Sequence, residues 1–250
     1  MLACPSTALD WTFQVEWAAT DDAVRAAQRL RFEVFAGEMG AQLQPDAMAA
    51  RLDRDRFDPF CEHLLVWAVD RAGHAPRQLV GTYRVLTPAG ARHAGGLYAD
   101  QAFDLSPLDA LRSRMVELGR ACVHPAWRSG GVILALWSAL GQYMVRHRFD
   151  TMVGCASVGL PDASALWHGV RHTHLARPAW QVQPRCALAL SDAAPLALRA
   201  MPPLIKGYLR GGAKVLGPPS WDASFHTADL PIMMRMDELS ARYRAQFLTQ

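Results

Sequence analysis

Residues 12–17 alternate apolar and polar side chains with period two, which predicts a short strand. Thr20, Asp21 and Asp22 then supply an N-cap and an acidic first turn, and the spacing changes to that of a helix reaching about Met39. Val24, Ala27, Val34 and Phe35 share one stripe of that helix, and Arg31 falls on the same stripe. A guanidinium facing the core must be paired with carboxylate or substrate, or else snorkel to the surface along its own methylenes. Residues 42–60 are polar and irregular, a predicted loop carrying Asp53, Asp55 and Asp58. Strands are predicted over 63–70 and 78–86 about a turn at 71–77, followed by a flexible connection over 90–96 and a short helix over 105–111. A central strand spans 115–123. Ile133, Leu136, Trp137, Leu140, Tyr143 and Met144 recur at helical spacing within 130–148, and this stripe reads as core. A buried strand over 152–157 and a helix over 162–171 follow.

From residue 179 the pattern weakens to a strand over 181–190, a glycine-capped helix over 202–211, a strand over 230–236 and a terminal helix over 237–248. The order predicts an α/β (α+β) fold, a mixed central sheet flanked by helices. The chain is one domain over 1–250, with a core at 12–178 and a C-terminal extension at 179–250. Hydrophobic residues make up 51% of the chain and charged ones 20%, ample for a soluble globule. A net charge of +3 is too small to argue for nucleic acid. The five cysteines form no C-x-x-C pair, so neither a zinc site nor a disulfide framework is indicated, and a reducing cytoplasm fits. His168 and His172 stand four apart without a following acid, so no metal is assigned. No uninterrupted apolar run long enough to span a membrane occurs.

The chemistry concentrates around the central strand. Arg128, Ser129, Gly130, Gly131 and Val132 form an Arg-led glycine turn opening into the apolar-striped helix. Unpaired N–H groups at the helix start, its positive dipole end and Arg128 make a site for a pyrophosphate or a phosphopantetheine arm. In a regular strand Glu117 and Arg120 face oppositely, because side chains alternate. A bulge at Gly119 would bring them onto one face with Arg84 and free a backbone N–H for a thioester carbonyl; without it, Glu117 is an exposed edge residue.

Arg31-x-x-Val34-Phe35, Asp55-x-Phe57-Asp58, Gly81-Thr82-Tyr83-Arg84 and Glu117-x-x-Arg120 resemble, in order and spacing, the pattern of acyl-homoserine lactone synthases. Those synthases usually carry Trp after the Leu-Gly of the first helix, where this chain has Ala41 after Met39-Gly40, which weakens S-adenosylmethionine as acceptor. Over residues 25–248 the chain is more similar to the haemolysin-like ornithine-acyl carrier protein N-acyltransferases of the GNAT superfamily. Val116-Glu117-Leu118-Gly119-Arg120, Val123-His124-Pro125 and the Gly130-Gly131 turn match that family's centre. Pro202-Pro203-Leu204-Ile205-Lys206-Gly207-Tyr208-Leu209-Arg210-Gly211-Gly212-Ala213 and Asp222-x-x-Phe225-x-Thr227-Ala228-Asp229 match its tail.

The resemblance implies transfer of a 3-hydroxyacyl group from acyl carrier protein to the α-amine of L-ornithine, giving lyso-ornithine lipid with no further cofactor. It implies Glu117 and Arg120 as catalytic, Arg31, Phe35, Asp55, Asp58 and Arg84 as substrate-binding, and the Arg128–Val132 turn as holding the donor arm. Some of these charges must be braces rather than ligands. Lys206 and Arg210, four apart in the tail, suit a carrier protein, an anionic membrane surface or plain solvent. The expected location is cytoplasmic, with peripheral association at the inner membrane. The competing readings are an N-acyl amino acid synthase or lactone-type synthase with another amine acceptor, and a non-catalytic carrier- or membrane-binding module.

Overall fold

The computed structural model describes residues 10–191 and 201–248. Strand β1 (Trp11–Trp17) leads to α1 (Asp21–Phe32), capped as expected by Thr20, whose hydroxyl accepts from the Ala23 amide at 3.3 Å. Over Glu33–Glu38 the helix widens into π-turns, with the Met39 amide bonded to the Val34 carbonyl. Such widenings are frequent at functional sites. The expected loop holds a short α2 (Pro45–Ala50), ahead of β2 (Glu62–Asp70) and β3 (Gln78–Leu86).

The expected flexible connection is a helix, α3 (Pro88–Ala94), started by the Thr87 cap and stopped by Gly95 at φ 77°. The short helix expected over 105–111 is a 3₁₀ stretch, Ser106–Arg114, placed after β4 (Phe103–Asp104). Then come β5 (Met115–Val123), α4 (Gly131–His147), β6 (Thr151–Gly159) and α5 (Leu160–Thr173). Of the strand expected over 181–190 only β7 (Gln183–Pro184) forms. The tail contributes α6 (Pro203–Gly211), β8 (Lys214–Val215), β9 (Ser220–Asp222), β10 (Thr227–Arg235) and α7 (Ala241–Leu248).

The main sheet has the order β1-β2-β3-β5-β6-β10-β8, with β9 also paired to β10. All pairs are antiparallel except β5 with β6, which are parallel and registered only over Met115–Glu117 against Thr151–Val153. Beyond Glu117 the two strands leave their ladder. Gly154 lies at that departure, where a Cβ would press into the Leu118 carbonyl.

Apolar clusters cover both faces of the sheet. On the front face Leu86, Met115, Val153 and Met233 pack with Phe57, Leu97 and Phe103. On the back face Tyr83, Val85 and Val116 pack with Leu136, Leu140 and Met144 of α4. Strand alternation therefore places Arg84, Glu117, Cys155, Ser157 and Asp229 on the front. The tail is no appendage: β10 is paired along its whole length with β6 and is buried from Thr227 to Met233.

Candidate active site

A lattice of six charges stands on the front face. Arg31 is fully buried, and its Nε and Nη2 donate to Asp53 Oδ2 at 2.9 Å and Asp58 Oδ1 at 2.8 Å. Its Nη2 also donates to the Asp53 carbonyl, and His63 Nδ1 lies 3.5 Å from Nη1. Arg84 donates to Asp55 at 2.7 Å and Asp58 at 3.3 Å, and Arg120 lies 3.2 Å from both Asp53 and Asp55. Burial pushes the Asp58 carboxyl up, but Arg31, Arg84 and the Asp55 amide outweigh it and hold it at about 2. Burial next to Arg31 lowers His63, favouring the neutral ring.

These contacts sort the expected ligands. Arg84, Arg120 and Phe35 line the main cavity; Arg31, Asp55 and Asp58 do not. Those three hold their neighbours, and Arg84 and Arg120 are what the lattice presents to the cavity. Asp53 belongs to the lattice as fully as Asp55. Nothing in the local sequence separates it from the other loop acids.

The bulge exists, displaced from Gly119. On β3, Tyr83 alone stands between Thr82↔Cys122 and Arg84↔Gly119, so it faces both Arg120 and Ala121. The left-handed residue is Arg120 itself, at φ 51°. That conformation costs a non-glycine residue roughly 1–2 kcal/mol, a local strain of the kind that clusters at functional sites. It turns Arg120 to the front, over the rings of Tyr98 at 5.1 Å and Phe225 at 5.0 Å.

Glu117 lines the cavity while almost entirely buried. Its Oε2 accepts from the Tyr98 amide at 2.6 Å and its Oε1 from the Ala99 amide at 2.8 Å. Burial pushes its carboxyl up, the two amides and Arg84 draw it down, and it settles at about 7. A carboxylate at that value takes up and releases protons at neutral pH.

The cavity, about 740 Å³, passes through the gap where β5 and β6 part. Its front part is lined by Glu117, Arg84, Arg120, Tyr98, Asp222, Phe225 and Asp229. Its back part runs beneath α4 past Ile133, Trp137, Leu140 and Gly141 and is also lined by Met152, Met234, Met236 and Tyr243. From Gly130 to Gly141 the helix extends about 16 Å. Tyr83 and Tyr208 bond to each other through their hydroxyls in this apolar part.

At the mouth, Gly130 at φ 105° begins α4 without any side-chain cap. Arg128 and Gly130 line the cavity here; Ser129 is exposed, and Val132 is buried in the back core. Gly131 packs near the Phe13 ring. The Arg128 fork is occupied by Glu38, at 2.6 and 2.7 Å. An anion bound to both Nη groups of Arg128 would compete with Glu38. Arg128→Ala is expected to raise KM for a phosphopantetheine-borne donor about 10-fold, and Glu38→Gln to lower it, with kcat little changed in both; initial-rate kinetics against donor concentration checks this.

Cys155 lies among these groups. Burial, then the charges of Asp229, Glu117 and Asp222, keep its thiol well above its ordinary value and hence protonated. A protonated thiol is a poor nucleophile. Cys155→Ala is therefore expected to retain activity within about 3-fold, measured as steady-state turnover, and no acyl-protein adduct should appear in the intact mass.

A model of the acetyltransferase (GNAT) domain matches residues 30–138. The L-ornithine N(alpha)-acyltransferase of Agrobacterium fabrum is 37% identical over 250 residues, covering 93% of this chain and 84% of its own length. Its counterpart from Rhodobacter capsulatus is 35% identical over 248 residues, covering 96% of this chain and 95% of its own. The chain belongs to the L-ornithine N(alpha)-acyltransferase family. Its fold is shared with FeeM, an N-acyl amino acid synthase from uncultured soil microbes (TM-score 0.56, 13% identity, 96% of this chain and 97% of that one). The AHL synthase LasI is likewise similar in fold, with TM-score 0.51, 13% identity, and coverage of 96% of this chain and 95% of its own. Both the GNAT-type fold and the family expected from the central and tail motifs thus hold. The tail motifs supply Asp222, Phe225, Asp229 and Tyr208 to the cavity.

Proposed function

We propose that this chain transfers a 3-hydroxyacyl group from the phosphopantetheine thioester of acyl carrier protein to the α-amine of L-ornithine, forming lyso-ornithine lipid. The observation that carries the reading is the two-sided cavity, which puts a near-neutral carboxylate and a polar chamber on one face of the sheet and a long apolar channel on the other. Family membership supplies the acceptor. In this reading the donor arm enters past the start of α4, where Arg128 and the uncapped amides meet its phosphate. The acyl chain lies beneath α4, and ornithine fills the front chamber.

The ammonium group must lose a proton before it can attack. Glu117 takes that proton, directly or through a water, and its value of about 7 suits the task. The amine nitrogen bonds to the thioester carbon, and the oxygen's developing charge is met by amides of the bulge, where Arg120 and Ala121 lack a register partner on β3. The C–S bond breaks, the sulfur leaves as thiolate and takes up the second proton that the nitrogen gives up, and an amide remains.

Lys206 and Arg210 stand exposed on α6 beside the channel residues Ile205 and Tyr208. Among the described residues no helix is long and apolar enough to cross a membrane. An amphiphilic product suits peripheral association through this basic face. Sedimentation with anionic vesicles, lost on Lys206→Glu/Arg210→Glu, checks it.

The test of function offers purified protein a 3-hydroxyacyl-carrier protein with ornithine, lysine, glycine or S-adenosylmethionine in parallel. Mass spectrometry should show ornithine plus the hydroxyacyl group as the dominant product. A dominant product with another acceptor refutes ornithine, and carrier-protein binding without any product refutes catalysis.

A further inference from the structure

The front chamber holds an acid that the transfer chemistry above does not use. Asp229 is 5% exposed and faces the cavity from β10. Its Oδ1 accepts from Ser157 Oγ at 2.7 Å and, more distantly, from Thr227 Oγ1 at 3.4 Å. Its Oδ2 takes no hydrogen bond from any described residue. Asp229 lines the cavity, so this oxygen is open to a donor that enters with a ligand.

Burial pushes the Asp229 carboxyl up, Ser157 and Arg120 draw it down and Asp222 pushes it up again, to about 6. It is therefore mostly ionised at neutral pH while still lacking a full counter-charge. Asp222 borders the same chamber, with its Oδ1 engaged by the Ser224 and Phe225 amides. The chamber thus has a cation-seeking end at Asp229 and Asp222. Arg120, which can meet an α-carboxylate, lies beside it.

Register sets the distance. Glu117 stands opposite Val153 on β6, and Asp229 stands opposite Ser157. Four residues of β6 separate those levels, about 13 Å along the strand, and the two strand spacings from β5 across β6 to β10 add about 10 Å sideways, so the Cα atoms stand roughly 16 Å apart. An amino acid with a short aminoalkyl side chain bridges that gap after both carboxylate side chains lean inward. Its α-amine has to be deprotonated near Glu117, whereas its terminal amine stays charged and needs an anion.

We propose that Asp229, assisted by Asp222, binds the side-chain ammonium of the acceptor amino acid and so sets the selectivity for a basic acceptor. This inference rests on the reading of the chain as an amino-acid N-acyltransferase and adds the residue that discriminates among acceptors. Norvaline, which has the ornithine skeleton without the terminal amine, isolates the interaction. Asp229→Asn preserves shape and can still accept from Ser157.

The experiment compares kcat/KM for ornithine and norvaline in wild type, Asp229→Asn and Asp222→Asn, with thermal melts as folding controls. In Asp229→Asn the ornithine value is expected to fall 10- to 100-fold, mainly through KM, while the norvaline value holds, so the preference narrows. Asp222→Asn should narrow it less. Equal losses on both acceptors, a pure kcat effect or an unchanged preference would overturn the proposal without touching the assigned activity. Absence of ornithine acylation by the wild type would instead refute the activity itself.

Discussion

Glu117→Gln is expected to lower kcat by about 10²- to 10⁴-fold, the usual contribution of a positioned general base. The change keeps the side chain's shape, but an amide has one acceptor oxygen where the carboxylate offers two. One of the Tyr98 and Ala99 amides then faces an NH₂ group, so some loss of order around residues 97–99 accompanies the loss of the base. The pH profile separates the two effects. Burial raises Glu117 to about 7, so wild-type kcat/KM should climb through pH 7 as the carboxylate forms, and that limb should vanish in Glu117→Gln.

Stability moves the other way. A carboxyl raised by folding stabilises the native state fully below its unfolded value and loses that contribution as pH rises through about 7. The group becomes active over the range in which it becomes a burden. Glu117→Ala supplies a further check, because formate can enter the vacated space and restore part of the rate. A variant whose residual rate keeps the wild-type pH limb would show that Glu117 only anchors the 97–99 segment.

Arg31→Leu is expected to destabilise the fold by about 3–5 kcal/mol, because it leaves the Asp53 and Asp58 carboxylates buried without their principal cation. For a chain of this size that corresponds to a drop in melting temperature on the order of 10 °C. Arg31→Lys should recover only part of the loss, since one ammonium cannot match a planar fork that reaches Asp53 twice and Asp58 once. Urea denaturation measures the effect. Unchanged stability with a large rise in KM for ornithine would return Arg31 to the role of ligand.

The strands of the front half are legible in the sequence because alternation and turn residues agree; 78–86 and 115–123 fall where the apolar pattern places them. Helix α3 is obscured by Gly90, which looks like a loop residue but is small for a packing reason: a Cβ there would press into the Phe60 carbonyl. The grouping of charges is legible from motif order, whereas the split between braces and cavity groups depends on where the fold sets each side chain. Arg31, Asp55 and Asp58 are as polar in sequence as Arg84 and Arg120, and only the fold sets them off the cavity wall. The expected start of the last strand at Leu230 excludes Asp229, because an acid interrupts an apolar run. In the fold β10 begins at Thr227 and carries that acid into the chamber. Tyr98 is missed for a related reason: it belongs to an irregular segment whose importance lies in presenting an amide to Glu117.

The measurement that tests the account most directly is fragmentation mass spectrometry of the product formed from a 3-hydroxyacyl-carrier protein and ornithine. With the α-amine beside Glu117 and the terminal amine held at Asp229, the product should be the Nα-amide alone, its side-chain amine free. Acylation of the terminal amine, or a mixture of the two amides, would contradict the placement of the acceptor and of the base.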